Sequence, residues 1–355
     1  MTKTINVAVI GLGRMGMMHL LNCRKIEKVN VVAAADSSKK ALTKAECLGI
    51  NTLYKDYHEM LGKISEIDAV IISLPNFLHF ESIKLFLEAG VNAFVEKPLA
   101  TSAKDCREIV KLVERSGRRL MVGHASRFIE ANQKLKTHLD KGIVGDLEVA
   151  TIEEIINGPF AHPRVPAPVA EWWFDPKKSG GGALLDIGYH MIDLFRFFAG
   201  ESNGVMFSHL IHRYNMPVED GAIVVLQSKS SVKGIINVGW YQQTIFPKFN
   251  FRVLLHGTAG YLSSDSFLPR NPYSYAIKVG LKNITKKVLG KKINFLAYTY
   301  YYESFYKELS HFFNCLRNDS EPSISAIDGL RTVETIEEAY KKSVARQAAE
   351  ETVAN

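Results

Sequence analysis

INVAVIGLGRMGMMHLLNCRKIEKVNVVAAAD, residues 5–36, decides the fold. Ile5–Ile10 is an unbroken apolar run that stops at Gly11, and Val29–Ala35 is a second one closed by Asp36. Apolar runs without polar alternation are expected of strands covered on both faces of a parallel sheet. The stretch between them, 14–27, reads as a helix. Gly11, Gly13 and Gly16 form G-x-G-x-x-G at the strand-to-helix turn. The first glycine permits the tight turn, the second lets a pyrophosphate approach the backbone, and the third lets helix and strand pack closely. Amide N–H groups at the helix start, around Arg14 and Met15, then face the phosphates. Asp36 stands twenty residues beyond Gly16 (36 − 16). A carboxylate there accepts hydrogen bonds from the adenosine ribose and repels a 2′-phosphate, which favours NAD over NADP.

Working outward, Ala69–Leu74, Asn92–Val95 and Leu120–Val122 repeat the pattern, with helices expected over 38–48, 79–89 and 102–116. Alternating β-α units predict a doubly wound parallel sheet, the Rossmann arrangement. The style changes near residue 125. A helix is expected over 129–141. Strand-like runs follow at Leu147–Ile156, Val205–Ile211, Ala222–Ser228, Gly234–Tyr241 and Phe251–His256, with one helix at 183–198 and two more at 302–318 and 325–347. The fold class is therefore α/β: an N-terminal Rossmann domain, 1–124, and a C-terminal α/β domain, 125–355, with a mainly antiparallel sheet. The last helix is free to return to the first domain.

The chain has 355 residues, 46% apolar and 23% charged, as in ordinary globular proteins. No apolar run is long enough for a membrane span, and the short apolar N-terminal run lacks the features of a signal peptide. Cys23, Cys47, Cys106 and Cys315 are scattered, without CxxC spacing, so a disulfide framework or zinc knuckle is not expected and a reducing cytoplasm fits. The net charge, 44 − 37 = +7, suits an anionic ligand. No aromatic-interleaved motif supports nucleic-acid binding.

The chemistry gathers in three places. Ser73, Pro75, Asn76 and His79 follow the strand at Ala69–Leu74, at a carboxyl end where ligands bind in open α/β sheets. Asn76 is a candidate cap for the next helix, and His79 is either a ligand-side residue or an ordinary helix start. Glu96-Lys97-Pro98 follows the next strand on the same sheet edge, and Lys97–Pro98 is a candidate cis peptide. The third is the stretch from Ser179 to Gly200, SGGGALLDIGYHMIDLFRFFAG. At 100° per residue Asp186, His190 and Asp193 fall within about 60° of one another on a helix apolar round most of its circumference. A buried helix with an Asp/His/Asp stripe needs partners for it. A polyhydroxylated ligand, a satisfied core network or a metal would each serve, and the metal is disfavoured because no further His/Cys cluster completes a coordination sphere. Oxidising an alcohol carbon leaves a hydroxyl proton for a base, for which histidine is suited. A lysine ammonium stabilises the charge left on oxygen.

These motifs together, GLGRMG with His19, Asp36, SLPNFLH, EKP and GGALLDIGYHMID in that order, resemble the glucose–fructose oxidoreductase / inositol dehydrogenase family (Gfo/Idh/MocA) over nearly the whole chain. The resemblance implies an NAD-dependent oxidoreductase acting on a secondary alcohol of a sugar, an inositol-like cyclic polyol or a nucleotide sugar. It implies a homodimer or homotetramer built through the C-terminal sheet. It assigns Lys97 to the substrate hydroxyl and the nicotinamide side, His190 to the acid/base role, and Asp186 to placing substrate and tuning Lys97. Asn76, His79 and Glu96 match residues beside the cofactor. The arrangement requires an ammonium and an imidazole from the two halves to meet at one carbinol. Two other functions stay open: a glycosidase that cycles tightly bound NAD, and a non-catalytic dinucleotide-binding sensor.

His124 and Arg127 stand where members of the family place substrate contacts, and either is equally well a packing or ion-pair residue. Trp172 and Trp173 precede the glycine triplet. Trp173 is a candidate floor for a sugar, and one of the two is expected in the core. Between about 265 and 300 the chain is long for the family and carries Lys278, Lys282, Lys286, Lys287, Lys291 and Lys292. Such a run is usually a solvated face, with an anionic substrate, a lipid surface or a partner subunit as alternatives.

Overall fold

The computed structural model describes residues 4–64, 66–158, 170–240, 251–268, 272–290 and 300–354. The chain divides into two compact units, Met1–His124 with Asp175–Gly180 and Tyr306–Glu334, and Ala125–Phe174 with Gly181–Phe305 and Thr335–Asn355.

In the first unit, β1 (Ile5–Ile10), β2 (Val29–Ala35), β3 (Leu53–Tyr54), β4 (Ala69–Ile72), β5 (Asn92–Glu96) and β6 (Leu120–Gly123) form a parallel sheet in the order β3-β2-β1-β4-β5-β6. The strand order reverses between β1 and β4, which is the switch point where such sheets bind ligands. Every residue of β4 is fully buried, the both-face cover that its unalternating sequence implies. Helices connect the strands at Arg14–Cys23, Lys39–Cys47, Tyr57–Lys63, His79–Glu88 and Ala103–Ser116. Ser102 caps the last of these by accepting from the Asp105 N–H, and Gly117 ends it in the left-handed region at φ 63°. The first helix is shorter than its sequence suggests. It stops at Cys23, and the chain then turns through Lys28 at φ 54° to enter β2. The start of the helix Ala326–Ala354 packs in this unit, where Gly329 lies so close to Leu99 that a Cβ would come within 2.8 Å of it.

In the second unit, β7 (Leu147–Ile155), β8 (Ser202–Ile211), β9 (Gly221–Ser228), β10 (Lys233–Gly239), β11 (Phe251–Gly257) and β12 (Gly260–Ser263) form a sheet ordered β12-β11-β7-β10-β9-β8. Every neighbouring pair is antiparallel except β10 with β7. One face carries Ala150, Ile152, Val224, Leu226, Ile236 and Val238, all fully buried. The helix Ala183–Ala199 lies on that face against β7, β9 and β10. Contact is close because Gly234 offers no side chain: a Cβ there would meet the Phe195 ring at 2.7 Å. The lysine-rich stretch contains a 17-residue helix, Pro272–Val288, that the sequence reading did not assign. Lys291 and Lys292 lie outside the described residues, as do the side chains of Lys278 and Lys282.

Candidate active site

The first unit builds a dinucleotide cradle from two loops. Gly11 sits at φ 78°, and a Cβ there would come within 2.4 Å of the Ser73 carbonyl oxygen. A Cβ on Gly16 would come within 1.7 Å of the Gly11 carbonyl oxygen. These two glycines serve the protein's own close packing. Gly13 differs: nothing stands within 4 Å of its Cβ position, and it is exposed together with Arg14, with Met15 half-buried. It is the N-cap of the helix Arg14–Cys23, which has no side-chain cap and no acidic residue in its first turn. Uncapped N–H groups and the positive end of the helix dipole favour an anion there. Asp36 is anchored beside them, one oxygen accepting from the Leu12 N–H at 2.5 Å and the other from the Ser38 N–H at 2.7 Å. The hydroxyl oxygen of Ser73 is buried without a hydrogen-bond partner among the described residues. Open space over the helix start, a fixed carboxylate and an unpartnered hydroxyl fit a dinucleotide, with the pyrophosphate at Gly13 and the ribose at Asp36.

The loops after β4 and β5 are tied together by His79. It is fully buried, with Nδ1 2.7 Å from the Pro98 carbonyl oxygen and Nε2 2.9 Å from that of Leu74. Two carbonyls favour protonation of the ring, but burial opposes it more strongly and lowers the pKa. His79 has no exposed surface and ties the Leu74 and Pro98 carbonyls together, beside Pro75 and Lys97–Pro98. Asn76 is not a helix cap. Its amide donates to the Ser179 carbonyl oxygen at 2.9 Å, and Leu78 takes the cap position. The Lys97–Pro98 peptide is cis, and Lys97 is half-buried at the carboxyl end of β5.

Glu96 is engaged in the interior. Its Oε1 lies 2.5 Å from Nε2 of the fully buried His19, on the flank of the helix Arg14–Cys23. Glu308 completes a buried trio whose ligand atoms all lie within 4.8 Å of one another. Burial, and then the charge of Glu96, push the Glu308 carboxyl well above the usual glutamate range. These three residues can bind a metal only by rearranging. Two ligands of one ion at ~2.1 Å bonds stand roughly 3 Å or more apart, whereas His19 and Glu96 are at hydrogen-bonding distance. His124, at the end of β6, is fully buried.

The second unit carries the Asp/His stripe. Along Ala183–Ala199 the residues that are not buried are Asp186, His190 and Phe197, all on one line of the helix. The third acid of the stripe, Asp193, is fully buried and paired with Arg127, which donates from Nε to Oδ2 at 2.7 Å and from Nη2 to Oδ1 at 2.6 Å. Arg127 also stacks over Phe197 at 5.5 Å. Arg127 is thus engaged in a buried bidentate ion pair, one of the two readings its position left open. Asp186 accepts from the indole N–H of the buried Trp240 at 3.2 Å. Trp240 in turn meets the half-buried Trp173 at 6.4 Å between ring centroids, and Trp173 meets Trp172 at 5.3 Å.

Glu219 holds the start of this helix, and no motif announced it. Its carboxyl oxygens accept from Gly182 N–H at 3.0 Å and Leu184 N–H at 2.9 Å, its backbone carbonyl from Ala183 N–H at 3.0 Å. Tyr340 donates its hydroxyl to the same carboxyl at 2.7 Å. Burial raises the pKa of Glu219 although these donors pull it down, and burial beside Glu219 raises that of Tyr340. The glycine triplet allows this approach: a Cβ on Gly182 would stand 2.0 Å from the Glu219 carbonyl oxygen.

Residues 5–124 match the family model described as "Oxidoreductase family, NAD-binding Rossmann fold", and residues 132–263 the "GFO/IDH/MocA C-terminal domain". The chain belongs to the Gfo/Idh/MocA family. It carries that family's NAD-binding Rossmann domain and is an oxidoreductase. It is 25% identical over 331 residues to the myo-inositol 2-dehydrogenase of Thermotoga maritima, covering 92% of each chain. Its fold is that of the scyllo-inositol dehydrogenase from Lactobacillus casei solved with NAD(H) and scyllo-inositol, at a TM-score of 0.79, 22% identity and coverage of 97% and 98% of the two chains. The WlbA dehydrogenase from Bordetella pertussis, solved with NADH and UDP-GlcNAcA, has the same fold at a TM-score of 0.78, 21% identity and 97% and 96% coverage.

Proposed function

We propose that the protein oxidises a secondary alcohol of an inositol-like cyclic polyol, a sugar or a nucleotide sugar with NAD. The observation that carries this reading is the Asp186/His190 stripe. A helix buried on all other sides leaves a carboxylate and an imidazole accessible, while its third acid, Asp193, is neutralised by Arg127. When bound, NAD supplies the hydride acceptor. His190 takes the hydroxyl proton as general base. Asp186, oriented by the Trp240 N–H, binds a neighbouring substrate hydroxyl and keeps the carbinol in register. Lys97 belongs to the first unit, and its ammonium stabilises the charge left on the substrate oxygen. Trp173 offers an aromatic face to the apolar face of a ring.

The protein works as a homodimer or homotetramer through the open face of the second sheet. There Phe207 (38% exposed), Val225, Ile235 (39%), Thr151 and Leu254 line up in one row across five strands, and mass in solution is the check. A cytoplasmic setting is supported by four free cysteines, three of them buried. Among the described residues no helix is long and apolar enough to cross a membrane.

The test follows NADH absorbance with inositols, aldoses and UDP-sugars. Turnover is expected with at least one of them. Lys97→Ala and His190→Ala are each expected to lower kcat by about 10²–10⁴-fold, with the NAD dissociation constant within several-fold and Tm unchanged. Product formation without net NADH would move the assignment to a redox-cycling glycosidase. Loss of folding in both variants would return the stripe to a core network.

A further inference from the structure

The helix Pro272–Val288 exposes an apolar stripe to solvent. Ile277, Leu281, Ile284 and Val288 are 64%, 59%, 61% and 80% exposed. Spacings of 4, 3 and 4 put them on one line of the helix. Among the described side chains of the helix, the half-buried ones are Asn283 and Lys286, both polar. A helix of a globular protein normally buries its apolar stripe and wets its polar side. Here the stripe faces outward and continues into Leu289, 68% exposed. The charge around it is one-sided. Residues 266–302 hold Arg270, Lys278, Lys282, Lys286, Lys287, Lys291 and Lys292 and no Asp or Glu, so this segment alone carries seven positive charges, as many as the net charge of the whole chain.

An apolar stripe on a helix of low overall hydrophobicity, set among lysines, suits the plane of a bilayer interface. There the aliphatic side chains enter the acyl boundary and the ammonium groups meet anionic headgroups. Nucleic acid would use the lysines and leave the aliphatic stripe in water. The helix is also not apolar enough to span a bilayer. We propose that Pro272–Val288 docks the protein on the surface of a membrane containing anionic lipid.

The experiment is flotation of the full-length protein, in the presence of NAD, with vesicles of phosphatidylcholine alone or of phosphatidylcholine with phosphatidylglycerol, at low and high salt. The protein is expected to float with the anionic vesicles at low salt and to be released by high salt. Leu281→Glu with Ile284→Glu is expected to weaken vesicle binding at least about tenfold. Lys287→Gln, at the exposed lysine flanking the stripe, should weaken it by about fivefold without disturbing the stripe. Both variants keep the Tm and the dehydrogenase rate on a water-soluble substrate, because none of the three residues belongs to the site. Absence of flotation on anionic vesicles overturns the proposal, as does undiminished flotation of the double-glutamate variant. A parent that ignores vesicles but loses mass in solution on the double-glutamate change would assign the stripe to a second copy of this chain, and would overturn it equally.

Discussion

Two helices in this protein begin at glycine-rich turns, and they are held in opposite ways. The helix Arg14–Cys23 is fixed along its flank, where His19 meets Glu96, and its N-terminus is left uncapped beneath open space at Gly13. The helix Ala183–Ala199 is fixed at its N-terminus, where Glu219 takes the first N–H groups, and part of its flank is left accessible at Asp186 and His190. In each case the feature left accessible is the one assigned to a ligand. The carboxylate of Glu219 occupies the kind of position that a phosphate takes at the other helix. A glycine turn before a helix therefore identifies an anion site without saying whether the anion comes from outside or from the chain itself.

Removing the internal anion should give the largest effect. Glu219→Ala leaves the Gly182 and Leu184 N–H groups and the Tyr340 hydroxyl without their acceptor in a buried setting, at a cost on the order of 3 kcal/mol. Chemical denaturation measures the loss. Glu219→Gln keeps an acceptor oxygen and should recover part of it. If Glu219→Ala is as stable as the parent, the second helix is not held at its end and the comparison fails.

The glycines themselves sharpen the contrast. Gly182→Ala puts a methyl against the Glu219 backbone and should cost about 1–3 kcal/mol as the helix start shifts. Gly13→Ala enters open space at an ordinary φ of −63° and should change stability by no more than about 0.5 kcal/mol. Its cost falls on the ligand instead, with NAD affinity expected to drop by about tenfold or more because the methyl occupies the space where phosphate approaches the backbone. Unchanged NAD affinity in Gly13→Ala would remove the cofactor from that helix start.

The sequence carried whatever is local or periodic. The runs at Ile5–Ile10 and Ala69–Ile72 declare buried strands, Gly11-x-Gly13-x-x-Gly16 declares its turn, and the spacing of Asp186 and His190 survives intact as the accessible line of their helix. Two-residue β3 carries too little pattern to be seen. Glu219 and Tyr340 meet across 121 residues of sequence, and Glu308 joins His19 from the far end of the chain, so no spacing rule points to either. Arg127 and Asp193 were both in view, but whether a buried arginine binds substrate or its own acid depends on a partner 66 residues away. The helix Pro272–Val288 shows the converse. Its apolar period is legible, but period alone implies burial, and here the apolar side is the exposed one.

The smallest expected effect concerns the flank that holds the first helix. Glu308 sits beside Glu96 with its carboxyl raised well above the ordinary range by burial and by that neighbouring charge. An acid whose folded pKa is raised contributes stability that is complete below its unfolded pKa and is lost as pH rises through the folded value. Stability should therefore decline on going from mildly acidic to alkaline conditions, as this carboxyl is forced to ionise next to another. Glu308→Gln keeps the shape and removes the proton equilibrium. Its Tm should match the parent at low pH and exceed it by a few degrees at high pH, with the gap widening steadily between. A constant gap across that range would mean that Glu308 does not change protonation on unfolding, and the flank would then be held by packing around His19 rather than by a protonated acid beside it.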